Sequence, residues 1–189
     1  KVEGLSLRVT YGRDYQERTL KDYENAEVGD GQPTARYAET RSRRIVENFN
    51  QILTYKTSIN YDHNLDITVG HESFDRNFSG NNTFATTQVA EGIYEFDNFS
   101  VPVSIGGSTT DKTLEGYLAR INYNYRNKYY LSLSGRRDGS SVFSEDVRWG
   151  NFYSVGASWR LSEESFMSNV GFVDDLKIRA SYGEVGNDN

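Results

Sequence analysis

Gly116-Tyr117-Leu118-Ala119-Arg120-Ile121-Asn122-Tyr123-Asn124-Tyr125-Arg126 decides the fold. Tyr117, Ala119, Ile121, Tyr123 and Tyr125 take every second position, and Leu118, Arg120, Asn122, Asn124 and Arg126 fill the gaps. Successive side chains of a strand point to opposite faces, so this period of two describes a strand with one aromatic, apolar face and one largely polar face. The design recurs in both directions along the chain. Leu5, Leu7, Val9 and Tyr11 alternate with polar residues, as do Leu53, Tyr55, Thr57 and Ile59, and then Leu65, Ile67 and Val69. Downstream, Tyr129, Leu131 and Leu133 oppose Tyr130, Ser132 and Ser134. Tyr153, Val155, Ala157, Trp159 and Leu161 oppose Ser154, Gly156, Ser158 and Arg160. Leu176, Ile178, Ala180 and Tyr182 oppose Lys177, Arg179, Ser181 and Gly183. Seven strands of one design are expected.

The connections alternate in length. Tight turns are expected at Asn60–Asn64 and Arg126–Lys128, and long polar loops at about Asp14–Arg44 and Phe74–Thr113, with a shorter one at Asp138–Arg148. The first long loop is acidic, and the second gathers Asn77, Asn81 and Asn82. Short turns at one rim and long loops at the other describe an all-β antiparallel transmembrane barrel. Ser162–Asp175 is a longer link on the short-turn rim, where Ser162 is expected to cap a brief helical turn carrying Glu163 and Glu164 near its N-terminus.

Composition agrees with this. Hydrophobic residues are only 36% of the 189, yet aromatics reach 14%, with 14 Tyr and 10 Phe, too many for a disordered chain. The net charge of -6 argues against nucleic acid as a partner, which calls for a basic surface. The absence of Cys removes disulfides, thiolate metal sites and Cys nucleophiles. No run of about 18 apolar residues occurs, so no transmembrane helix is expected, while barrel strands never produce such a run. Lys1 opens on no signal-peptide pattern, so the chain is expected to start after processing or within a larger protein. Trp149 and Trp159 stand ten residues apart on one face. At ~3.3 Å per residue and a tilt of about 40° they are separated by roughly 25 Å along the membrane normal, the height of an apolar band between aromatic girdles.

From Leu114 onward the sequence resembles the SusC/RagA family of TonB-linked outer-membrane proteins. The segments that carry the resemblance are Gly116–Tyr125, Lys128-Tyr129-Tyr130-Leu131, and Arg136-Arg137-Asp138-Gly139-Ser140-Ser141 with Phe143 and Arg148-Trp149-Gly150. After them come Ser162-Glu163-Glu164 with Phe166-Met167, and Leu176–Gly183 with Gly186-Asn187. The first half is similar more loosely, through Asn64-Leu65 and Gly70-His71-Glu72, and Val142 stands where family members often carry a basic residue. The resemblance implies a 22-strand barrel filled by an N-terminal plug. It also implies import of glycans or peptides, a SusD-like surface lipoprotein as lid, and energy from the TonB complex pulling on the plug. The expectation is a partial barrel domain over residues 1–189, of about seven strands, with plug and remaining wall lying outside this chain.

Little in the chain suggests catalysis. His63, in a tight turn, and His71, at a strand end beside Glu72, are the only histidines, and eight residues along a hairpin do not converge on a metal or a substrate. Glu163–Glu164 and Asp174–Asp175 fit a solvated connection, and Gly106-Gly107 and Asp138-Gly139 fit turns. No enzyme, metal or cofactor is expected. Arg120, Asn122, Asn124, Ser132, Ser134, Ser158 and Arg160 are expected to line the lumen. Tyr117, Tyr123, Tyr125, Tyr129, Trp149, Tyr153, Trp159 and Tyr182 are expected to meet membrane lipid as an aromatic girdle, the outward positions being odd in strands one to six and even in strand seven. Adjacent Arg136 and Arg137 must point to opposite faces, so the pair is expected at the extracellular rim, where strand five has left the membrane, anchoring the Gly139–Arg148 loop through Asp138, Glu145 or Asp146. Two alternatives stay open: a passive porin, and a secreted β-sandwich that binds carbohydrate through exposed Tyr and Trp.

Overall fold

A computed structural model describes residues 2–168 and 170–184; Lys1 and the Gly186-Asn187 pair lie outside them. Seven strands run in chain order: β1 (Leu5–Glu24), β2 (Arg36–Ile59), β3 (His63–Gln88), β4 (Phe99–Tyr125), β5 (Tyr129–Ser140), β6 (Trp149–Arg160) and β7 (Lys177–Gly183). They form a single antiparallel meander in the order β1 to β7. The second sheet that a sandwich requires is absent among the described residues.

The tight turns follow from backbone handedness. Asn60 and Tyr61, then Arg126 and Asn127, are successive pairs with positive φ, as a two-residue hairpin needs if its twist is to match that of the flanking strands. Asp62 ties the two turns together: its carbonyl accepts from the Arg126 amide at 2.7 Å, and its carboxylate pairs with the Arg126 guanidinium at 2.9 Å.

The two expected long loops are largely strand. β1 and β2 leave only residues 25–35 between them, and β3 and β4 only 89–98, each stretch holding one short 3-10 turn, Gly29–Gly31 or Phe96–Asn98. Asn77, Asn81 and Asn82 sit within β3, His71 is interior to it, and Gly106-Gly107 is interior to β4. β4 has 27 residues, about 90 Å of strand, where crossing a bilayer takes about 10 residues. A period of two reveals a strand only where one face is apolar. From Asn77 to Thr83 and from Ser104 to Lys112 a single large apolar residue stands in each stretch, Phe78 and Ile105, too few to mark a face, and the strand continues without that signature. Likewise Asp138-Gly139 belongs to β5, His63 is the first residue of β3, and the β5–β6 loop shortens to 141–148.

Two compact units divide the chain, one of Lys1–Gly12, Asn48–Phe74 and Thr113–Asn189, the other of Arg13–Glu47 and Asp75–Lys112. The second holds the buried apolar cluster of Ala35, Tyr37, Ala85 and Phe99, with Tyr23 and Phe96 against it. Tyr37 stacks on Phe99 at 5.3 Å, and Asn98 closes the 89–98 hairpin with side-chain hydrogen bonds to Ala90 and Ile93. In the first unit the large apolar residues stay exposed: Leu7 is 66%, Leu133 39% and Val155 40% accessible. This is a one-layer sheet whose apolar face has no second sheet or helical layer against it among the described residues.

The β6–β7 link differs in detail from expectation. It begins with two 3-10 turns, Leu161–Glu163 and Ser165–Met167, and neither has a side-chain cap. Ser162 lies inside the first turn and donates to the Asp175 carboxylate at 3.0 Å instead.

Candidate functional site

All fifteen residues singled out for lumen or girdle fall in the first unit, and strand register decides which of them meet. Along β4, β5, β6 and β7 the rows run Asn122–Ser132–Gly156–Ser181 and Asn124–Tyr130–Ser158–Arg179. Both rows lie on the polar face. Together with Lys56, Asn64 and Asp66 they line an open groove of about 880 Å³. Its amides and hydroxyls are paired with one another: Ser132 donates to the Asn122 amide oxygen at 2.7 Å, and the Asn64 amide donates to that of Asn124 at 3.0 Å. Lys56 pairs with Asp66 at 3.1 Å, and the Lys177 ammonium lies 3.6 Å above the Tyr130 ring. Asn122, Asn124, Ser132 and Ser158 are therefore brought together. Arg120, Ser134 and Arg160 share their face but stand outside the groove. Ser134 pairs with Ser154 at 2.7 Å, and Arg160 with Asp175 at 3.2 Å.

The opposite face is banded. Its central rows are Ile121–Leu133–Val155–Tyr182 and Tyr123–Leu131–Ala157–Ala180, and β7 enters on even numbers, so Ile178 faces Trp159. At the short-turn end, Tyr125, Tyr129 and Trp159 stack in series at 6.3 Å, and Phe166 meets Trp159 edge-on. At the other end Tyr117 and Trp149 are 6.1 Å apart. Trp149 lies over Gly139, its register partner: a Cβ there would come within 2.9 Å of the indole, so the ring needs glycine beneath it. Tyr153 lies between the Trp149 end and the central rows, opposite Gly135.

Glu164, which the sequence offered only as a capping charge, clamps the link to the aromatic row. One of its carboxylate oxygens accepts from the Tyr129 hydroxyl at 2.6 Å and from the Trp159 indole at 3.0 Å, while Lys128 lies 3.5 Å from the other. These donors, the tyrosine hydroxyl first, hold its carboxyl below the usual carboxylate range. A depressed pKa favours the docked link fully above the ordinary Glu range, about pH 4.3, and the benefit fades as pH falls through the lowered value. Acid titration is expected to release the link, with a change in Trp159 fluorescence that Glu164→Gln abolishes.

The arginine pair meets the expectation in part: the two side chains take opposite faces, and Asp138 is one of the partners. Arg136, on the polar face, binds Asp138 at 2.7 Å and Glu72 of β3 at 2.7 Å, so its second partner is a strand and not the 141–148 loop. Arg137, on the banded face, lies 5.0 Å above the Trp149 ring. The pairing roles of Glu72 and Asn64 were not foreseen because their partners stand some sixty residues away, in a register of β3 on β4 that the sequence does not show. The histidines do not converge. His63 Nδ1 is 2.7 Å from the Tyr123 hydroxyl, and His71 Nε2 is 2.9 Å from Glu115. Among the described residues no group of three metal-ligating side chains occurs.

No family model matches the chain. A TonB-dependent receptor of Formosa agariphila is 36% identical over 141 residues, 71% of this chain and 14% of that protein. The TonB-dependent receptor SusC of Bacteroides thetaiotaomicron is 42% identical over 80 residues, 42% of this chain and 8% of that one. The chain belongs to the SusC/RagA family of TonB-dependent receptors. In fold it is similar to a chain in the structure of the RagAB peptide transporter, with a TM-score of 0.87 at 22% identity, covering 97% of this chain and 21% of that one. This SusC/RagA segment thus spans about a fifth or less of the proteins it matches, and the groove and banded face are features of a stretch of barrel wall.

Proposed function

We propose that the chain is part of the wall of an outer-membrane transporter that imports large nutrients, glycans or peptides, with energy delivered by TonB and a SusD-like lipoprotein at its mouth. The observation that carries this reading is the two-faced single sheet. One face bears exposed aliphatic rows between aromatic ends, suited to lipid, and the other a groove of paired Asn, Ser, Lys and Asp suited to water. On this reading the groove of Asn122, Asn124, Ser132 and Ser158 faces the lumen, Arg120, Ser134 and Arg160 lie on the same wall, and the wall is a rigid scaffold for a plug and passing cargo. Tyr117, Tyr123, Tyr125, Tyr129, Trp149, Tyr153, Trp159 and Tyr182 face lipid. The 25–35 and 89–98 hairpins, which join β1 to β2 and β3 to β4, are where cargo and lid arrive.

Uptake by the parent receptor tests the proposal. Cells carrying the parent gene are expected to take up their oligomeric nutrient only while TonB is intact. Uptake that persists without TonB would identify a passive porin.

A further inference from the structure

We propose that Arg137, with Asn151 beside it, seats the phosphate of an anionic lipid headgroup where the apolar band of the barrel wall ends. This rests on the reading above that the banded face meets lipid.

Arg137 stands in the row Tyr117–Arg137–Asn151. Below it come Ala119–Gly135–Tyr153 and then the aliphatic Ile121–Leu133–Val155. The row is thus the first polar one above the apolar band, and it lies at the aromatic end marked by Trp149. That is the depth at which headgroups begin. Its guanidinium is held over the Trp149 ring, and among the described residues it has no carboxylate at ion-pair distance. Its neighbour Arg136 has two. The nearby carboxylate of Glu115 is engaged elsewhere: it accepts from His71 at 2.9 Å and from the Tyr117 hydroxyl at 3.1 Å. A guanidinium held over an indole by cation–π attraction keeps its N–H donors, and its fork matches two phosphate oxygens at once. Asn151, next in the row, is exposed and brings an amide donor to the same level.

A cation without a carboxylate partner at this depth is complementary to a lipid phosphate and to nothing apolar. A lipid-borne phosphate is favoured over a free one because the row sits on the lipid side, where a headgroup is already held at the right height.

The test uses the parent receptor reconstituted in nanodiscs that mix phosphatidylcholine with spin-labelled phosphatidic acid. The fraction of immobilised label is compared for wild type, Arg137→Gln and Arg137→Lys. Wild type is expected to enrich phosphatidic acid over spin-labelled phosphatidylcholine, and Arg137→Gln to lower that preference about fivefold, the weight of one basic side chain at an anionic membrane surface. Arg137→Lys is expected to keep a part of it, since the charge remains and the fork is lost. Equal preference in wild type and Arg137→Gln overturns the proposal, and so does full displacement by millimolar inorganic phosphate, which would make the site one for free anions. Oxygen accessibility of a nitroxide at Leu133→Cys, measured in the same discs, reports whether the banded face meets lipid at all. If that label is lipid-exposed and Arg137→Gln changes nothing, only the headgroup seat fails.

Discussion

An arginine at Leu133 is expected to prevent stable assembly of the parent receptor, whereas an arginine at Ser154 is expected to be tolerated. Leu133 lies between Ile121 and Val155 in the central aliphatic row. A guanidinium there has no carboxylate in its own row, and a charged residue on the lipid face near the bilayer midplane costs roughly 2–4 kcal/mol. Snorkelling offers little relief, because the nearest polar row, Tyr117–Arg137–Asn151, is two rows further along the sheet and already carries a cation. Ser154 is one residue along from Val155 but on the other face, paired with Ser134 at 2.7 Å. Its replacement loses one hydroxyl hydrogen bond, about 1 kcal/mol, in a setting open to water. Urea unfolding of the receptor folded into vesicles measures both. A cost at Ser154 as large as that at Leu133 would mean that the two faces are not lipid and lumen.

That contrast was already legible in the sequence, because parity alone separates Leu133 from Ser154. The strands of the first unit were readable for the same reason: each pairs an apolar face with a polar one, and the short turns at Asn60-Tyr61 and Arg126-Asn127 leave the register of each hairpin almost no freedom. The even numbering of the banded face in β7 was readable too, from Ile178, Ala180 and Tyr182 alone. What could not be read was strand without an apolar face. Thr83 and Thr109 are β-branched and favour extended backbone much as valine does, but set among residues such as Asn81 and Asn82, with water-seeking neighbours on both sides, they look like loop. The register between β3 and β4 was lost with them. So were the partners it creates: Glu72 for Arg136, Asn64 for Asn124, and His71 for Glu115. Glu164 was legible as a charge in a connection but not as an acceptor for Tyr129 and Trp159, since that depends on how the link folds back on the row.

Tyr37→Ala is expected to open the second unit while sparing the first. Tyr37 is 1% accessible, the largest fully buried side chain among the described residues, and its ring spans the stack on Phe99 at 5.3 Å and the tilted pair with Phe96 at 4.8 Å. Truncating a buried aromatic leaves a cavity and costs about 3–5 kcal/mol. Here the loss falls on a cluster of four buried residues, Ala35, Tyr37, Ala85 and Phe99, with little other apolar burial to absorb it. Local opening then becomes the cheapest response, as expected for a region with few buried contacts. Hydrogen exchange on the parent receptor is expected to show lost protection around 35–39 and 85–99, with faster proteolysis in 25–35 and 89–98. Amides of 117–125 and 129–134 are expected to keep their rates. Tyr37→Phe retains the ring and is expected to cost less than about 1 kcal/mol, within the range of volume-conserving core changes. Equal loss of protection in both variants would show that the hydroxyl, not the stacked ring, holds the hairpins together. Unchanged exchange in Tyr37→Ala would show that strand pairing alone suffices.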